Sequence, residues 1–276
     1  MRIAITGASG FCGGVVARLA AAEGADVICW GRRPGPVGRH VFWDATRTVP
    51  DLAGADVVVH LAAVVGDSPG DESRFAAVNV AGARRLLDAA NGRPVVWVSS
   101  ASVYRPGPYE APVTEDRPTG GQRTAYGRTK AAGERLALDA GAVVLRPRAV
   151  YGDGDPHLLP RLRRAVRGGR AWLPGPDVRL SLTAVENLAS ACLAAHRWPP
   201  GAYNIADATP YSRDAAVSAV LGVPVRHVPV RLVRTVAAMT RTLTPYAIDQ
   251  VTDGLVLDIS RARARGWTPS AALTTS

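Results

Sequence analysis

The chain has 276 residues, enough for one large domain or two small ones, and its 47% hydrophobic and 20% charged residues exclude wholesale disorder and a small disulfide-stapled scaffold. No apolar run is long enough to span a membrane, Met1 is followed by no secretory apolar core, and Cys12, Cys29 and Cys192 show no metal or disulfide spacing, so a cytoplasmic protein with no membrane contact and no metal site is expected. The net charge of +10 comes from 33 basic residues of which 32 are arginine, with no aromatic–basic interleaving, so it reads as the codon usage of a GC-rich genome and no nucleic-acid partner is expected.

In chain order, residues 2–6 form a short apolar run, a glycine turn follows, and Val15 to Ala22 reads as a helix. Apolar strands near 26–30, 56–61, 94–98 and 143–146 then alternate with helical stretches near 74–90 and 124–140. That alternation predicts an α/β fold with a doubly wound parallel Rossmann sheet. The loop from Tyr104 to Gly121, rich in Pro and Gly, falls at the carboxyl edge of the sheet, where ligands bind. From about 151 the rhythm breaks at Pro156, Pro160, Pro174 and Pro176, before a strand–helix pair near 179–197 and a strand near 202–205. The expected organisation is a Rossmann domain of 1–150 plus about 179–205, and a small C-terminal substrate-binding lobe of about 151–178 plus 206–276. Arg161, Arg163, Arg164, Arg167 and Arg170 are spaced as one solvated helix face, with phosphate binding as the alternative. In the lobe, Val228, Val230, Leu232, Val233, Val236 and Met239 are candidates to contact an apolar substrate.

Gly7, Gly10 and Gly13 lie between the first strand and the first helix, where backbone N–H groups and the helix end can approach a pyrophosphate. At the end of the second strand, where a carboxylate would take the ribose diol of NAD, the sequence reads Trp30-Gly31-Arg32-Arg33. Two guanidiniums suit a 2′-phosphate, so NADP(H) is expected in preference to NAD(H).

The single lysine, Lys130, stands where arginine will not serve, in a chain that uses arginine everywhere else. It follows Tyr126 by four residues, which on a helix places both side chains on one face. An ammonium beside a phenol favours the phenolate, which readies the hydroxyl for proton exchange. Upstream, the apolar strand Val95 to Val98 ends in Ser99, Ser100 and Ser102, any of which could orient a substrate oxygen.

Thr6-Gly7-Ala8-Ser9-Gly10-Phe11-Cys12-Gly13, His60-Leu61-Ala62-Ala63, Asn79-Val80-Ala81-Gly82, Ser99-Ser100-Ala101-Ser102-Val103-Tyr104 and Tyr126-x-x-x-Lys130 resemble the extended short-chain dehydrogenase/reductases, from residue 1 to about 210. Leu145-Arg146-Pro147-Arg148-Ala149-Val150-Tyr151-Gly152 is similar to the segment that closes over the nicotinamide. The resemblance implies Ser100, Tyr126 and Lys130 as catalytic residues, with Asn79 supporting the lysine through water. It implies cofactor contacts from Gly7, Gly10, Phe11, Cys12, Gly13, Arg32, Arg33, Asp44, Leu61, Ala62, Ala63, Tyr126, Lys130, Pro147 and Val150, and substrate contacts from Ser102, Tyr104 and Arg179.

The chain also departs from the family pattern. Ala101 and Ser102 stand where the sugar dehydratases carry Asp-Glu, which argues against dehydration, and Ala184 with Glu186-Asn187 replaces a His and two Asp after Arg179. The expected function is an NADP(H)-dependent oxidoreductase that reduces a carbonyl, or oxidises an alcohol, of a small molecule. A nucleotide-sugar epimerase with tightly held NAD(P) is the alternative, and a non-catalytic dinucleotide sensor would have no need of Tyr126 and Lys130. A homodimer is expected.

Overall fold

The computed structural model describes residues 1–66, 72–240 and 244–273. The first half contains β1 (Arg2–Thr6), α1 (Phe11–Ala22), β2 (Asp26–Gly31), β3 (Arg39–Phe42), β4 (Val57–His60), α2 (Glu72–Ala76), a π-helical turn (Ala77–Gly82), α3 (Ala83–Ala90), β5 (Val95–Val98), α4 (Ala125–Asp139) and β6 (Val143–Pro147). Next come β7 (Val150–Tyr151), α5 (Leu158–Arg163), β8 (Val166–Arg167), β9 (Arg170–Pro174), β10 (Arg179–Leu180), β11 (Thr183–Ala184), α6 (Val185–Ala194) and β12 (Gly201–Ile205). The chain closes with β13 (Tyr211–Ser212), α7 (Arg213–Leu221), β14 (Val225–Val228), α8 (Val230–Thr240), α9 (Pro245–Thr252) and α10 (Ser260–Arg263).

Seven parallel strands form the main sheet in the order β12-β6-β5-β4-β1-β2-β3, the doubly wound arrangement expected. Strands β1, β4, β5 and β6 are buried almost throughout because helices cover both faces, and so they read as unbroken apolar runs. Ile3 and Ile5 point to the face that holds Val16 and Leu188 of α1 and α6, while Ala4 and Val58 point to Leu86 and Ala137 of α3 and α4. Edge strand β3, with Arg39 and His40 exposed, carries no such signal and is placed by pairing with β2. The order reverses at β1, whose neighbours are β2 and β4, and the crevice opens there at the carboxyl ends.

Helix α4 starts at Thr124, whose hydroxyl accepts from the Gly127 N–H at 3.0 Å. It lies against the π-helical turn so closely that a Cβ at Gly133 would sit 2.3 Å from the Asn79 carbonyl oxygen and 3.2 Å from Trp97 Cζ2. Gly133→Ala is expected to force α4 outward and to destabilise the protein by about 1–3 kcal/mol. Thermal denaturation reads this, and an unchanged Tm would disprove the contact.

Three expectations are corrected. The arginine run is not one helix: α5 ends at Arg163, and Gly168-Gly169 turns the chain into the antiparallel pair β8–β9, because a Gly-Gly step favours a tight hairpin over helix. The lobe boundaries also move. Strand β10, assigned to the Rossmann domain, pairs with β13, whereas Leu255, Leu257, Ile259, Ala262 and Trp267, assigned to the lobe, pack into the core under the main sheet. Val113 bridges to Leu257, and Asn204 Nδ2 donates to the Val113 and Asp258 carbonyls. Finally, Leu232, Val236 and Met239 face outward at 56%, 48% and 80% exposure, and of the lobe's apolar candidates only Val233 faces the cavity described below. Residues 241–243 and 274–276 of the expected lobe lie outside the described residues. Among the described residues no helix is long and apolar enough to cross a membrane.

Candidate active site

A cavity of about 1790 Å³ runs along the carboxyl edge of the sheet and down into the lobe, larger than the usual ligand pocket and roomy enough for a dinucleotide and a substrate together. One wall is the turn between β1 and α1. Gly7 adopts φ +74°, and a Cβ at Gly13 would stand 2.3 Å from the Gly7 carbonyl oxygen, so helix and strand can approach this closely only through glycine. Helix α1 has no acidic residue in its first turn and no side-chain cap, which leaves its N–H groups and positive end for an anion. Phe11 and Cys12 line the same wall, and burial pushes the Cys12 thiol up to about 12, so it stays protonated.

Arg32 and Arg33, exposed beyond β2, line the next part of the cavity with Asp44. The Asp44 carboxylate accepts from Thr46 Oγ1 at 2.7 Å and the Thr46 N–H at 2.9 Å, bonds that hold it below the usual carboxylate range with help from Arg32. Leu61, Ala62 and Ala63 close the opposite side. Thr6 Oγ1 accepts from the Leu61 and Ala62 N–H groups, both at 3.2 Å, which turns its own proton to His60 Nδ1 at 2.8 Å. That network assigns the neutral Nε2–H tautomer to His60, and burial together with the Lys130 charge pushes its pKa down to about 3.

Ser100, Ser102, Tyr126, Lys130, Pro147 and Val150 all line this cavity. Strand β5 ends just before Ser100, whose Oγ accepts from the Ser102 N–H at 3.2 Å. Tyr126, half-buried in the first turn of α4, and buried Lys130 share a helix face. Lys130 Nζ donates to the Val98 carbonyl at 2.7 Å and lies 5.6 Å from the Trp97 ring centroid. Burial lowers its pKa to about 8, while Glu134 opposes the shift. The ammonium therefore still prevails at neutral pH.

Behind this group lies a polar network that the sequence reading missed. Glu134, one further helical turn along α4, accepts from Ser99 Oγ and Arg146 Nη2, both at 2.5 Å. Arg146 also donates to Tyr104 Oη at 3.0 Å, and that hydroxyl donates to Asn204 Oδ1 at 2.6 Å. A charged residue inside the apolar run of β6, and Glu134 four residues past Lys130, were the available signals.

Every cofactor residue named from the sequence lines this one cavity, as do Ser100 and Ser102. Asn79 does not: its amide accepts from the Val64 N–H and donates to the Val64 carbonyl and Thr129 Oγ1, so its side chain ties the π-helical turn to α4. Tyr104 borders the cavity, but its hydroxyl is spent in the core, where burial pushes it up to about 12, and it is withdrawn as a substrate contact. Arg179 lies outside the cavity, exposed on β10 and bonded to the Pro210 carbonyl at 2.9 Å, and is withdrawn as well. Unforeseen lining comes from Arg148 and Arg213.

A doubly wound sheet with an anion-ready glycine turn at its switch point, opening onto a tyrosine–lysine pair, defines an NAD(P)-dependent enzyme of the Rossmann class. The chain belongs to the NAD dependent epimerase/dehydratase family, whose model matches residues 3–206. It is 27% identical to a 2-alkyl-3-oxoalkanoate reductase of Shewanella oneidensis over 94% of this chain and 80% of that one. It is 31% identical to an enzyme of the same name from Stenotrophomonas maltophilia over 73% and 67%. Among solved structures it is similar to MoeE5 in complex with UDP-glucose and NAD, with TM-score 0.78, 25% identity and coverage of 99% and 95%.

Proposed function

We propose that the protein is an NADP(H)-dependent carbonyl reductase working through Ser100, Tyr126 and Lys130. The observation that carries this reading is the chain's one lysine, buried on the helix face of Tyr126 in a cavity that it shares with the glycine turn and Ser100. The glycine turn would hold the pyrophosphate, and Arg32 with Arg33 the 2′-phosphate. When bound there, a nicotinamide would supply the hydride for the carbonyl carbon, or take it up in the reverse direction. Ser100 Oγ donates to the carbonyl oxygen, and the Tyr126 hydroxyl delivers the proton that completes the alcohol. Lys130, held by the Val98 carbonyl, stabilises the phenolate left behind.

The reductase names of the two relatives favour this direction. The epimerase alternative finds support in the UDP-glucose complex of MoeE5 and in Arg161, Arg164 and Arg167, which line the lobe end of the cavity. Cofactor consumption separates the two: a panel of ketones, aldehydes and nucleotide sugars, followed by NADPH absorbance, should show stoichiometric oxidation with a simple carbonyl. Conversion of a nucleotide sugar without net NADPH loss would overturn the reductase reading.

Cofactor choice is tested separately. With no carboxylate at the end of β2 and that of Asp44 turned to Thr46, NADPH should bind at least about tenfold tighter than NADH, or about 1.4 kcal/mol. The double variant Arg32→Asp, Arg33→Ala should reverse the order in a tryptophan-fluorescence titration. Equal affinities in the wild type would remove the claim.

A further inference from the structure

Asn187 stands on α6 where the family pattern has an aspartate, and the fold buries it completely. Its Nδ2 donates to Asp207 Oδ1 at 2.7 Å and to the Ala271 carbonyl at 2.8 Å, while its Oδ1 accepts from the Ser270 and Ala271 N–H groups, both at 2.9 Å. The two N–H groups on one side, and the carboxylate and carbonyl on the other, fix the orientation of the amide and use its full hydrogen-bonding capacity. An aspartate at this position has no N–H to give and would set a second buried negative charge against Asp207, so the contact between α6 and residues 270–271 needs asparagine.

Two residues further along, the Leu273 N–H donates to Tyr211 Oη at 2.9 Å. Tyr211 and Tyr151 in turn donate to Asp207 Oδ2 at 2.9 and 2.7 Å, and the Ala184 N–H donates to Asp207 Oδ1 at 2.8 Å. One buried carboxylate thus joins β7, β11, α6 and β13 to the C-terminal segment. Leu273 itself is half-buried and packs, as Tyr151 does, against the buried cluster of Leu180, Leu182, Tyr211 and Ala216. Leu273, Tyr151, Leu180, Leu182 and Ala216 all line the cavity. Because both tyrosine hydroxyls are taken by Asp207, the face that this cluster offers the cavity is apolar. It starts close to the glycine turn: Tyr151 lies between Val150, which lines the same cavity, and Gly152, where a Cβ would stand 3.5 Å from Phe11 Cζ.

We propose that residues 270–273 form a strap, pinned by Asn187, that carries Leu273 into the apolar wall of the substrate cavity, and that Leu273 limits the length of the apolar chain a substrate can carry there. Asn187 is a positioning residue and Leu273 a specificity-determining one. The strap is tied to α6 and β13, whereas Ser100 follows β5 and Tyr126 and Lys130 stand on α4, so a change at Leu273 alters which substrate fits and leaves the proton-transfer groups in place. The proposal rests on the carbonyl-reductase reading for turnover alone, since the fit of a chain against Leu273 also shows in binding.

The test follows kcat/KM for the methyl ketones from 2-butanone to 2-undecanone with NADPH, and the affinity of the matching 2-alkanols for the protein with NADP present, by tryptophan fluorescence. A methylene that an apolar pocket admits or refuses is worth about tenfold or more, so in Leu273→Ala the ratio of long to short chains should rise by about tenfold in both measures. In Leu273→Phe the ratio should fall. Ratios unchanged from wild type in both variants, or losses equal for every chain length, would overturn the assignment of Leu273. In Asn187→Asp the Ser270, Ala271 and Leu273 amides should exchange hydrogen at least about tenfold faster, read by mass spectrometry, and the length profile should shift as in Leu273→Ala. Wild-type exchange in that variant would overturn the pin. The Leu273 variants decide the specificity claim even if Asn187→Asp does not fold. Should no ketone be reduced, a Leu273-dependent shift in alkanol affinity would still support the strap, and only the reductase reading would fall.

Discussion

Tyr126→Phe is expected to lower turnover by about 10²–10⁴ while NADPH affinity stays near the wild-type value, because the ring still packs and only the proton donor is lost. The companion variant Lys130→Arg should fail to a similar degree, although it keeps the charge. Lys130 is 4% exposed, and its Nζ fits between the Val98 carbonyl at 2.7 Å and the Trp97 ring. A guanidinium is planar and broader, and it cannot take that position without displacing β5 or Tyr126. Single-turnover kinetics with a ketone that the wild type reduces would measure both variants. Wild-type turnover in Lys130→Arg would show that the one lysine carries no special chemistry.

Acid should destabilise the protein steeply, and His60 is expected to contribute the largest single part. Its ring is buried, stacked 4.3 Å from Trp97 and hydrogen-bonded to the Thr6 hydroxyl, and burial together with the Lys130 charge holds it neutral. The folded pKa of about 3 lies below the ordinary 6.5, so the unfolded chain takes up the proton first. The contribution is therefore complete above pH 6.5 and is lost as pH falls toward 3, amounting to about 5 kcal/mol across the full window. Asp44, Asp177 and Asp258, whose pKa values are also lowered in the fold, lose stability in the same direction. Urea unfolding of wild type and His60→Phe between pH 7 and pH 4 isolates the histidine: the variant should show the shallower slope. Parallel slopes would mean that His60 titrates normally in the native state.

The parallel sheet, the glycine turn, the Tyr126–Lys130 pair and the strand-end serines were legible in the amino-acid sequence because each depends on local order. A strand covered on both faces must be apolar throughout, a close helix–strand turn must be glycine, and a four-residue spacing on a helix sets two side chains on one face. Strand β3 carried no pattern of its own because an exposed edge strand needs no apolar run. The hairpin in the arginine run was signalled by Gly168-Gly169 but was masked by a spacing that also suits a helix.

Whether a polar side chain is already satisfied could be decided only by residues distant in the chain. The Tyr104 hydroxyl is taken up by Asn204, the Arg179 guanidinium by the Pro210 carbonyl, and the Asn79 amide by Val64 and Thr129. Asn187, one departure from the family pattern among several, gains its role only when the fold brings Ser270 and Ala271 to its amide. Sequence thus determined which groups could do chemistry, because side-chain type and local spacing are written in it. Tertiary structure decided which of them remain available, because hydrogen-bond capacity is used up by whichever groups the fold brings within about 3 Å.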